Sequence, residues 1–458
     1  MRPRQRDIIA VLLCLLTCLV ATPQPASAQQ PIPGTYAQGF LQSEGDPYAI
    51  VGPGTTAVAP TGLFGTSIGD GRLFQGGWFA NPGYANSGFE RPPLFPRLHN
   101  RVYFAADYLL WDVDGMRTPR MVTTSPAGTP SDTAGVLGET GTSVLFGGGE
   151  INGGATSGVR LMGGLWITPD QRVGLDVEYI NLAEQTDGYN TGSNGSPILA
   201  RPFFDVAAGQ ETAQLIAYPG IVAGGTNISS SSDLSSLMLG ARIALCPAPG
   251  PCLDPCASPD GVHFLVGYRG VDLDDRITIN ENLTSQISNI PGTLSLVDRF
   301  ETRNEFDGIQ FGVLHRMTLQ RAWLESSLRV AAGTNEQTIN ISGSNRAVES
   351  GVAIDSSGGL YAQRSNIGNH RRDEFTMIPE LGLRLGVRLT RSLHATIGYS
   401  ALYFPNVVRA SEQIDTDLNP GLFAPGDDPL TGAFRPRVLW RETDYLAHGL
   451  TLGGELQF

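Results

Sequence analysis

Hydrophobic side chains alternate with small or polar ones over the last stretch of the chain, from Tyr445 to Phe458. One set of alternate positions is mostly apolar and consists of Leu446, His448, Leu450, Leu452, Gly454, Leu456 and Phe458. The positions between them are small or polar, namely Tyr445, Ala447, Gly449, Thr451, Gly453, Glu455 and Gln457. A period of two residues belongs to a β-strand whose two faces meet different surroundings. An edge strand of a soluble domain and the closing strand of a barrel both fit this pattern. The rest of the chain must therefore distinguish between these two folds.

The same alternation recurs upstream, beginning at Arg101. In its first copy, Phe104, Tyr108 and Leu110 share one face, whereas Asp107 lies on the other. The ten predicted strands cover residues 102–110, 159–167, 173–179, 237–245, 262–268, 301–316, 322–333, 381–389, 393–399 and 445–458. About ten residues with this period cross a bilayer when the strand is tilted. We predict about ten strands, with a range of roughly eight to twelve because strand boundaries are hard to place.

The connections between these strands alternate strictly between long and short. A short turn such as Thr168–Gln171 follows every even-numbered strand, and a polar segment of about 30 to 50 residues follows most odd-numbered ones. Outer-membrane barrels have short periplasmic turns and long outer loops, whereas a soluble β-sandwich predicts no such sorting. The pattern therefore predicts an all-β fold, a transmembrane antiparallel up-and-down β-barrel over residues 100–458.

The first residues of the chain indicate export. A positive start carries Arg2, Arg4 and Arg6, and Ile8–Val20 is apolar except for one threonine. The small residues Ala26–Ala28 then match a cleavage site, so residues 1–28 are predicted to be a signal peptide cut after Ala28. Lipidation at Cys18 is the alternative. Export and a barrel together predict the bacterial outer membrane as the location.

The composition limits the classes of partner that the protein can bind. The chain has 57 Gly, 31 Pro, only 16% charged residues and a formal net charge of -13. An acidic surface argues against nucleic acid, since phosphates need a basic one. We expect outer-membrane lipid and lipopolysaccharide as partners, and the assembly machinery as a partner of the strand ending at Phe458. The oligomeric state stays open.

Residues 29–99 are rich in Gly and Pro and show no sustained period of either kind. The interpretation that we favour is an irregular periplasmic arm. The alternative is a plug that enters the barrel, aided by the aromatic residues Phe74, Trp78, Phe79 and Tyr84.

The predicted inner face carries charges of both signs. Its basic members are Arg160, Arg172, Arg242, Arg269, Arg329, Arg384 and Arg388, and its acidic members are Asp107, Asp176, Glu178, Glu325, Glu380 and Glu455. Charges facing each other across a narrow lumen pair, because an unpaired buried charge is very costly. About eight strands are filled by side chains, whereas water-filled porins need sixteen or more. We therefore expect a closed or narrow, salt-bridged lumen.

Acidic residues gather at the predicted outer strand ends, namely Asp112, Asp114, Asp272, Asp274 and Asp275. Paired carboxylates can activate water in a surface hydrolase, and they can hold divalent cations with lipid headgroups. The simpler interpretation is that outer loops are acidic because they are wet. The chain has no Ser/His/Asp set and no His-Glu-x-x-His motif, and Gly147–Gly149 lacks the Lys of a phosphate loop. We expect no cofactor and no enzyme activity, with an outer-membrane hydrolase as the alternative.

Short motifs across the barrel region resemble a known family, the seventh putative β-barrel porin family. They are ADYLLW at 106–111, LFGG at 145–148, GYRGVDL at 267–273, FETRNEF at 300–306, GYS at 398–400, NVVR at 406–409 and RETD at 441–444. Ala410 replaces the proline that the family has after the NVVR motif. The resemblance implies an outer-membrane barrel whose transport role is not established. A structural, surface or narrow-channel role is the expected function.

Three cysteines occupy one predicted short turn: Cys246, Cys252 and Cys256. Their spacing matches no standard pairwise metal motif, although His263 would supply a fourth zinc ligand. An exported protein meets an oxidising compartment, so one disulfide and one spare thiol fit better than zinc.

Mass spectrometry of the native protein under non-reducing conditions should therefore find one internal bridge within residues 246–256. The oxidising compartment drives two of the three thiols to pair. The matched sample is the same digest after reduction, in which the bridged peptide must disappear. Three free thiols in the native protein would exclude the disulfide.

Overall fold

The structure, a computed structural model, describes residues 101–168, 171–245, 261–423 and 432–458. The predicted signal peptide (1–28), the predicted arm or plug (29–99) and the candidate disulfide residues Cys246, Cys252 and Cys256 lie outside these ranges. No helix among the described residues is long and apolar enough to cross a bilayer.

The described residues form nineteen strands and two short 3₁₀ helices. The strands of the first half are β1 (Val102–Val113), β2 (Met116–Arg117), β3 (Arg120–Thr124), β4 (Ser143–Gly147), β5 (Glu150–Ile151), β6 (Gly154–Trp166), β7 (Val173–Leu182), β8 (Gln185–Ser193), β9 (Leu199–Asp205) and β10 (Gln210–Ala217). The remainder are β11 (Val222–Leu245), β12 (Gly261–Ser285), β13 (Gly292–Leu319), β14 (Ala322–Glu349), β15 (Val352–Ser357), β16 (Gly368–Arg388), β17 (Leu393–Val408), β18 (Asp417–Leu418) and β19 (Glu442–Gln457). The helices are η1 (Ala410–Gln413) and η2 (Pro420–Leu422).

Ten strands close into an antiparallel barrel. In order around the ring these are β1, β6, β7, β11, β12, β13, β14, β16, β17 and β19. The first and last strands pair from Tyr103↔Gln457 to Val113↔Ala447, which closes the ring. Closure satisfies every ladder hydrogen bond without an edge, and lipid demands this of any β-structure that spans it. The predicted fold class is thereby confirmed, and each predicted strand coincides with part of one of these ten, with Ile167, Leu389 and Phe458 each one residue beyond the end of its strand.

The alternation along each strand separates lipid-facing from interior side chains. On β1, Tyr108 is 50% exposed, whereas the neighbouring Asp107 is 3% exposed. On β16, Leu381 is 57% exposed and Glu380 is 6% exposed. Apolar side chains therefore surround the outside of the barrel and polar ones fill its inside, as lipid on one side requires.

Four neighbouring strands are much longer than a membrane needs. Strands β11 to β14 contain 24, 25, 28 and 28 residues. The segments 272–298 and 334–372, which lie in the predicted long connections, are thus largely strand, and the Gly/Ser-rich segment 222–233 is strand as well. The pattern was present but weak: Ile277, Ile279 and Leu283 alternate with polar residues and point inward. These strands build a wall that rises beyond the membrane on the long-loop side.

The other outer segments fold against this wall. Strands β10, β9, β3 and β4 form a small sheet, and β18 joins β9 in parallel. Their apolar side chains pack with those of the wall and of the β15–β16 connection in one cluster, which includes Met121, Leu199, Ile216, Ile279, Phe300, Ile339, Tyr361 and Leu418. The outer connections therefore form a folded cap with its own hydrophobic core.

Two adjacent glycines on β6 give a matched test of inside and outside. A Cβ on Gly164 would lie 2.1 Å from the Tyr103 ring, whose hydroxyl donates to Asp176 at 2.9 Å. A Cβ on Gly163 would meet Val177 at 3.5 Å and the carbonyl oxygen of Tyr103 at 3.8 Å, both ordinary contacts. Gly164→Ala should destabilise the barrel by about 1–3 kcal/mol, since Tyr103 must move.

Urea unfolding in phospholipid vesicles measures both variants, and Gly163→Ala is the control that should stay near wild type. Equal losses in the two variants would contradict the assignment of the two faces.

Candidate functional site

Twelve charged side chains meet inside the barrel, nearer to its short-turn end; we call them the charged layer. They are Arg160, Arg242, Arg269, Arg316, Arg329 and Arg384 with Asp107, Asp176, Glu178, Glu325, Glu380 and Glu455. Six cations thus face six carboxylates, and the most exposed of these side chains, Glu325, is 16% exposed. Their charges cancel within the layer, so it carries no net sign.

The sequence prediction and this layer differ at three positions. Arg172 and Arg388 were predicted to line the lumen, but both are exposed beside the short turns, at the ends of β7 and β16. Arg316 is buried in the layer, although it is not among the residues predicted to line the lumen. It shares the inward parity of Gln310 and Leu314, and that parity was the available signal in a weakly patterned strand.

Four members of the charged layer form a closed ring. Arg329 contacts Glu178 at 2.9 Å and Glu380 at 3.4 Å. Arg269 contacts the same two carboxylates at 3.1 and 2.9 Å. Strands β7 and β14, which carry Glu178 and Arg329, lie four steps apart around the ten-stranded ring. The ion pair between them therefore crosses the interior directly.

A second set of ion pairs crosses elsewhere. Arg384 contacts Asp107 at 3.1 Å and Glu455 at 2.9 Å. Arg316 contacts Glu455 at 3.1 Å and Glu325 at 3.6 Å. Strands β13 and β19, the sources of Arg316 and Glu455, again lie four steps apart. A charge-assisted contact of this length leaves no room for a solute between its partners.

Aromatic side chains flank the charged layer on two sides. Trp323 donates to His394 at 2.7 Å, and the Arg316 guanidinium lies 3.9 Å from the Trp323 ring centre. On the other side Arg242 lies 5.7 Å from the Trp166 ring centre and pairs with Asp176 at 2.7 Å. A cavity of about 20 Å³ lies within this layer. That volume holds about one water molecule.

An apolar layer lies further along the barrel, towards the cap. It contains the buried side chains Leu109, Trp111, Ile180, Leu273, Phe306, Leu402, Phe404 and Tyr445 among others. Phe306 and Phe404 meet edge to face, with their ring centres 6.1 Å apart. This layer excludes water from the middle of the barrel, since its side chains come from most of the ten strands.

Beyond the apolar layer, the chain after β17 turns into the mouth of the barrel, and Arg409 anchors it there. Arg409 is fully buried and binds both oxygens of Asp275, at 2.5 and 3.3 Å. It also donates to the carbonyls of Asp114 and Gly115 and to the Ser232 hydroxyl. All five guanidinium N–H groups thus have acceptors. The NVVR motif carried the family resemblance, but the sequence did not indicate this role.

Three amide side chains fix the same segment. Asn304 accepts the backbone N–H of Val408 at 2.8 Å and donates to the Val408 carbonyl at 2.9 Å. Asn335 and Gln337 donate to the carbonyl of Asn406, whose φ is 55°. A left-handed residue at a strand irregularity lets the chain leave the ladder and bend inward.

A further buried network joins the cap to the wall. Arg201 contacts Glu281 at 3.0 Å and Asp298 at 2.7 Å, and it lies 4.4 Å from the Tyr361 ring centre. Asp298 also accepts the backbone N–H groups of Tyr361 and Ala362. Burial raises the pKa of the Tyr361 hydroxyl to about 12. Burial also raises the pKa of Glu281, against the lowering effect of Arg201.

The rim carboxylates do not converge on one site. Asp275 is held by Arg409, whereas Asp274 faces Arg303 at 3.4 Å on the outer surface. Asp114 accepts the backbone N–H of Leu446 at 2.9 Å, and Asp112 is exposed. Across the described ranges, no group of three or more His, Cys, Asp or Glu side chains is arranged to hold a metal ion.

Comparison with known proteins gives one family. The model of a family described as "Putative beta barrel porin-7 (BBP7)" matches residues 103–458, and this match confirms the resemblance noted from the short motifs. No curated protein matches.

Several solved structures of barrel proteins are similar at low identity. The outer membrane protease OmpT from Escherichia coli is 5% identical, with 78% of this chain and 97% of that chain covered and a TM-score of 0.35. A FadL homologue from Pseudomonas aeruginosa is 10% identical, with 78% and 90% covered and a TM-score of 0.21. The Pseudomonas putida toluene transporter TodX is 9% identical, with 78% and 90% covered and a TM-score of 0.13.

The ring of four charges gives a direct test of the charged layer. Glu178→Ala leaves Arg269 and Arg329 to share Glu380 alone, so it should cost about 3–5 kcal/mol of unfolding free energy. Glu150→Ala removes an exposed partner of Arg117 and should cost less than about 1 kcal/mol.

Urea unfolding monitored by tryptophan fluorescence in vesicles measures both losses. Glu178→Gln keeps the shape of the side chain, and serves if the alanine variant does not fold. A Glu178 variant no weaker than the Glu150 variant would refute the buried ring.

Proposed function

The chain belongs to the putative beta barrel porin-7 family, and on this premise we propose that it is a closed outer-membrane barrel that displays a folded cap on the cell surface. In this proposal the barrel anchors the cap, and the cap is the part that meets other molecules. The role is structural and surface-directed, and it is neither transport through an open pore nor catalysis.

The observation that carries the proposal is the succession of three closed layers along the interior. A solute would first have to separate ion pairs that cross the interior, such as Arg329 with Glu178 at 2.9 Å. Each buried charge that loses its partner costs several kcal/mol. The solute would then meet the apolar layer, and after it the segment that Arg409 anchors. General diffusion is unfavourable at every level of this path.

Delivery to the outer membrane is part of the same proposal. The predicted signal peptide directs export and is removed after Ala28, and the strand that ends at Phe458 engages the assembly machinery. Lipid then surrounds the apolar outer face, on which Leu381, Leu383 and Ile397 are about half exposed. Tyr268, Tyr399 and Tyr403 lie on this face near its outer boundary, where aromatic side chains favour the interface.

Planar-bilayer recording tests the closed interior. The mature protein, refolded into bilayers, should give no reproducible unitary conductance, because charge-paired and apolar layers block the path. A water-filled porin reconstituted in the same bilayers is the positive control. A difference in gel migration between unheated and heated samples establishes that the barrel is folded. Reproducible unitary conductance would overturn the closed interior.

The same samples test the alternative function, that of a surface hydrolase. Peptidase and lipid-esterase assays on folded protein should give no turnover above a boiled control. Turnover that disappears in Asp112→Asn/Asp114→Asn would replace the structural role by a surface hydrolase.

A further inference from the structure

The outward surface of the wall carries a groove that the barrel does not use. Its volume is about 400 Å³, and its lining is Asn190, Thr191, Gly192, Gly225, Thr226, Asn227 and Asn282. Binding sites for small molecules usually measure about 300–1,000 Å³. None of these seven described residues is charged, in a chain with 44 acidic and 31 basic residues.

The register of three strands explains how the groove forms. On β8 and β11, Gly192 pairs with Gly225, and Gly225 pairs in turn with Asn282 on β12. Two residues further along the strands, and on the same face, Asn190 pairs with Asn227. Two facing glycines leave a depression in the sheet surface, because neither fills the space that a side chain would occupy. Asparagine side chains stand around this depression.

Two of these asparagines, Asn190 and Asn227, point away from the cap core and are free to bind, whereas Asn282 accepts a hydrogen bond from the Ser295 hydroxyl at 2.9 Å. The neighbours of Asn227 along β11, Thr226 and Ile228, are 2% and 1% exposed, so Asn227 faces the opposite way. Within the described residues, the amides of Asn190 and Asn227 have no hydrogen-bond partner in the protein. Among the described strands β8 pairs with β11 alone, so its other backbone edge has no strand partner in this part of the chain.

The height of the groove above the membrane determines which molecules lie around it. Asn282 lies fourteen residues beyond Tyr268 on β12, which is roughly 45 Å of strand. With a strand tilt of about 40°, the groove is roughly 35 Å above the aromatic boundary of the lipid. It is therefore above the phosphate-bearing headgroups, in the zone that the sugars of the outer leaflet and of external glycans occupy.

We propose that this groove binds a neutral saccharide. A sugar hydroxyl is both donor and acceptor, and an asparagine amide presents a donor and an acceptor side by side. Neighbouring strands are about 4.8 Å apart, which sets the amides at a spacing close to one sugar ring. None of the described lining residues carries a positive charge, so this lining fits a neutral group better than a phosphate or carboxylate, whose strongest partners are cations. The β8 edge that lacks a strand partner in the described ranges adds backbone donors and acceptors to the same site.

The test uses the full mature protein in nanodiscs of synthetic phospholipid, which contain no sugar. The probes are maltohexaose, cellohexaose, chitohexaose and the delipidated polysaccharide of lipopolysaccharide, and saturation-transfer NMR with calorimetry measures binding. At least one probe should bind saturably, with an affinity unchanged between about 0.05 and 0.5 M salt. The polysaccharide arm and the free-oligosaccharide arms distinguish the two sources of the ligand.

Two variants address the groove itself. Asn190→Ala/Asn227→Ala removes two hydrogen-bonding amides and should weaken binding about tenfold or more. Gly192→Val fills the floor without a backbone conflict, since its Cβ would meet Gly224 at 3.5 Å, and it should abolish binding. The matched controls are Thr186→Ala/Ser229→Ala and Thr186→Val, on the same face outside the groove. Both controls should bind like wild type.

Each remaining outcome overturns the proposal. These outcomes are no saturable binding to any of the four probes, binding that salt abolishes, and binding that the groove variants leave unchanged while they fold. None of them depends on whether the barrel conducts ions, so the saccharide site and the closed interior are tested independently.

Discussion

The pairing of charges inside a narrow ring is the interaction on which the rest of the structure depends. Ten strands place their inward side chains close enough to meet across the interior, and six arginines meet six carboxylates there. An isolated charge in such a place would be very costly, so each guanidinium is matched by a carboxylate or a hydroxyl from a distant strand. These pairs join opposite walls of the barrel, and the interior is closed as a consequence.

Buried ion pairs add little stability compared with apolar side chains of similar size. In this barrel, the ion pairs specify the register of the strands. A slip of one residue in any strand would turn its inward charges towards lipid and its leucines towards the interior. Glu178 meets two arginines from two different strands, so a slip would break both contacts. The charged layer thus specifies one alignment of the ring, and the fixed ring in turn carries the wall and the cap at a constant height.

The outer half of the molecule distributes its apolar and polar side chains differently. Above the lipid, both faces of the long strands leave the hydrocarbon, so the inward face becomes apolar and the outward face becomes polar. Ile277 and Phe300 point into the cap core, while Arg276 and Glu301 pair on the outside at 2.6 Å. The same strands therefore reverse the polarity of their two faces along their length. The Arg409 anchor and the Arg201 network lie in this part and connect the wall to the segments that close it.

The sequence by itself determined the class of fold, the ten membrane strands and most of the inward charges, because lipid on one side imposes a strict period of two on each strand. Asp107, Glu178 and Arg384 could be assigned to the interior by parity alone. It could not indicate that the Gly/Ser-rich segment 222–233 is a strand, since serine and glycine have weak strand preference and pairing with β8 and β12 orders them. It also could not place Arg409 or Arg201, nor identify the partners of Arg316, because these contacts come from residues far away along the chain. Only the tertiary structure decided which charges meet and where the chain turns inward, since those contacts depend on the closure of the ring and not on local pattern.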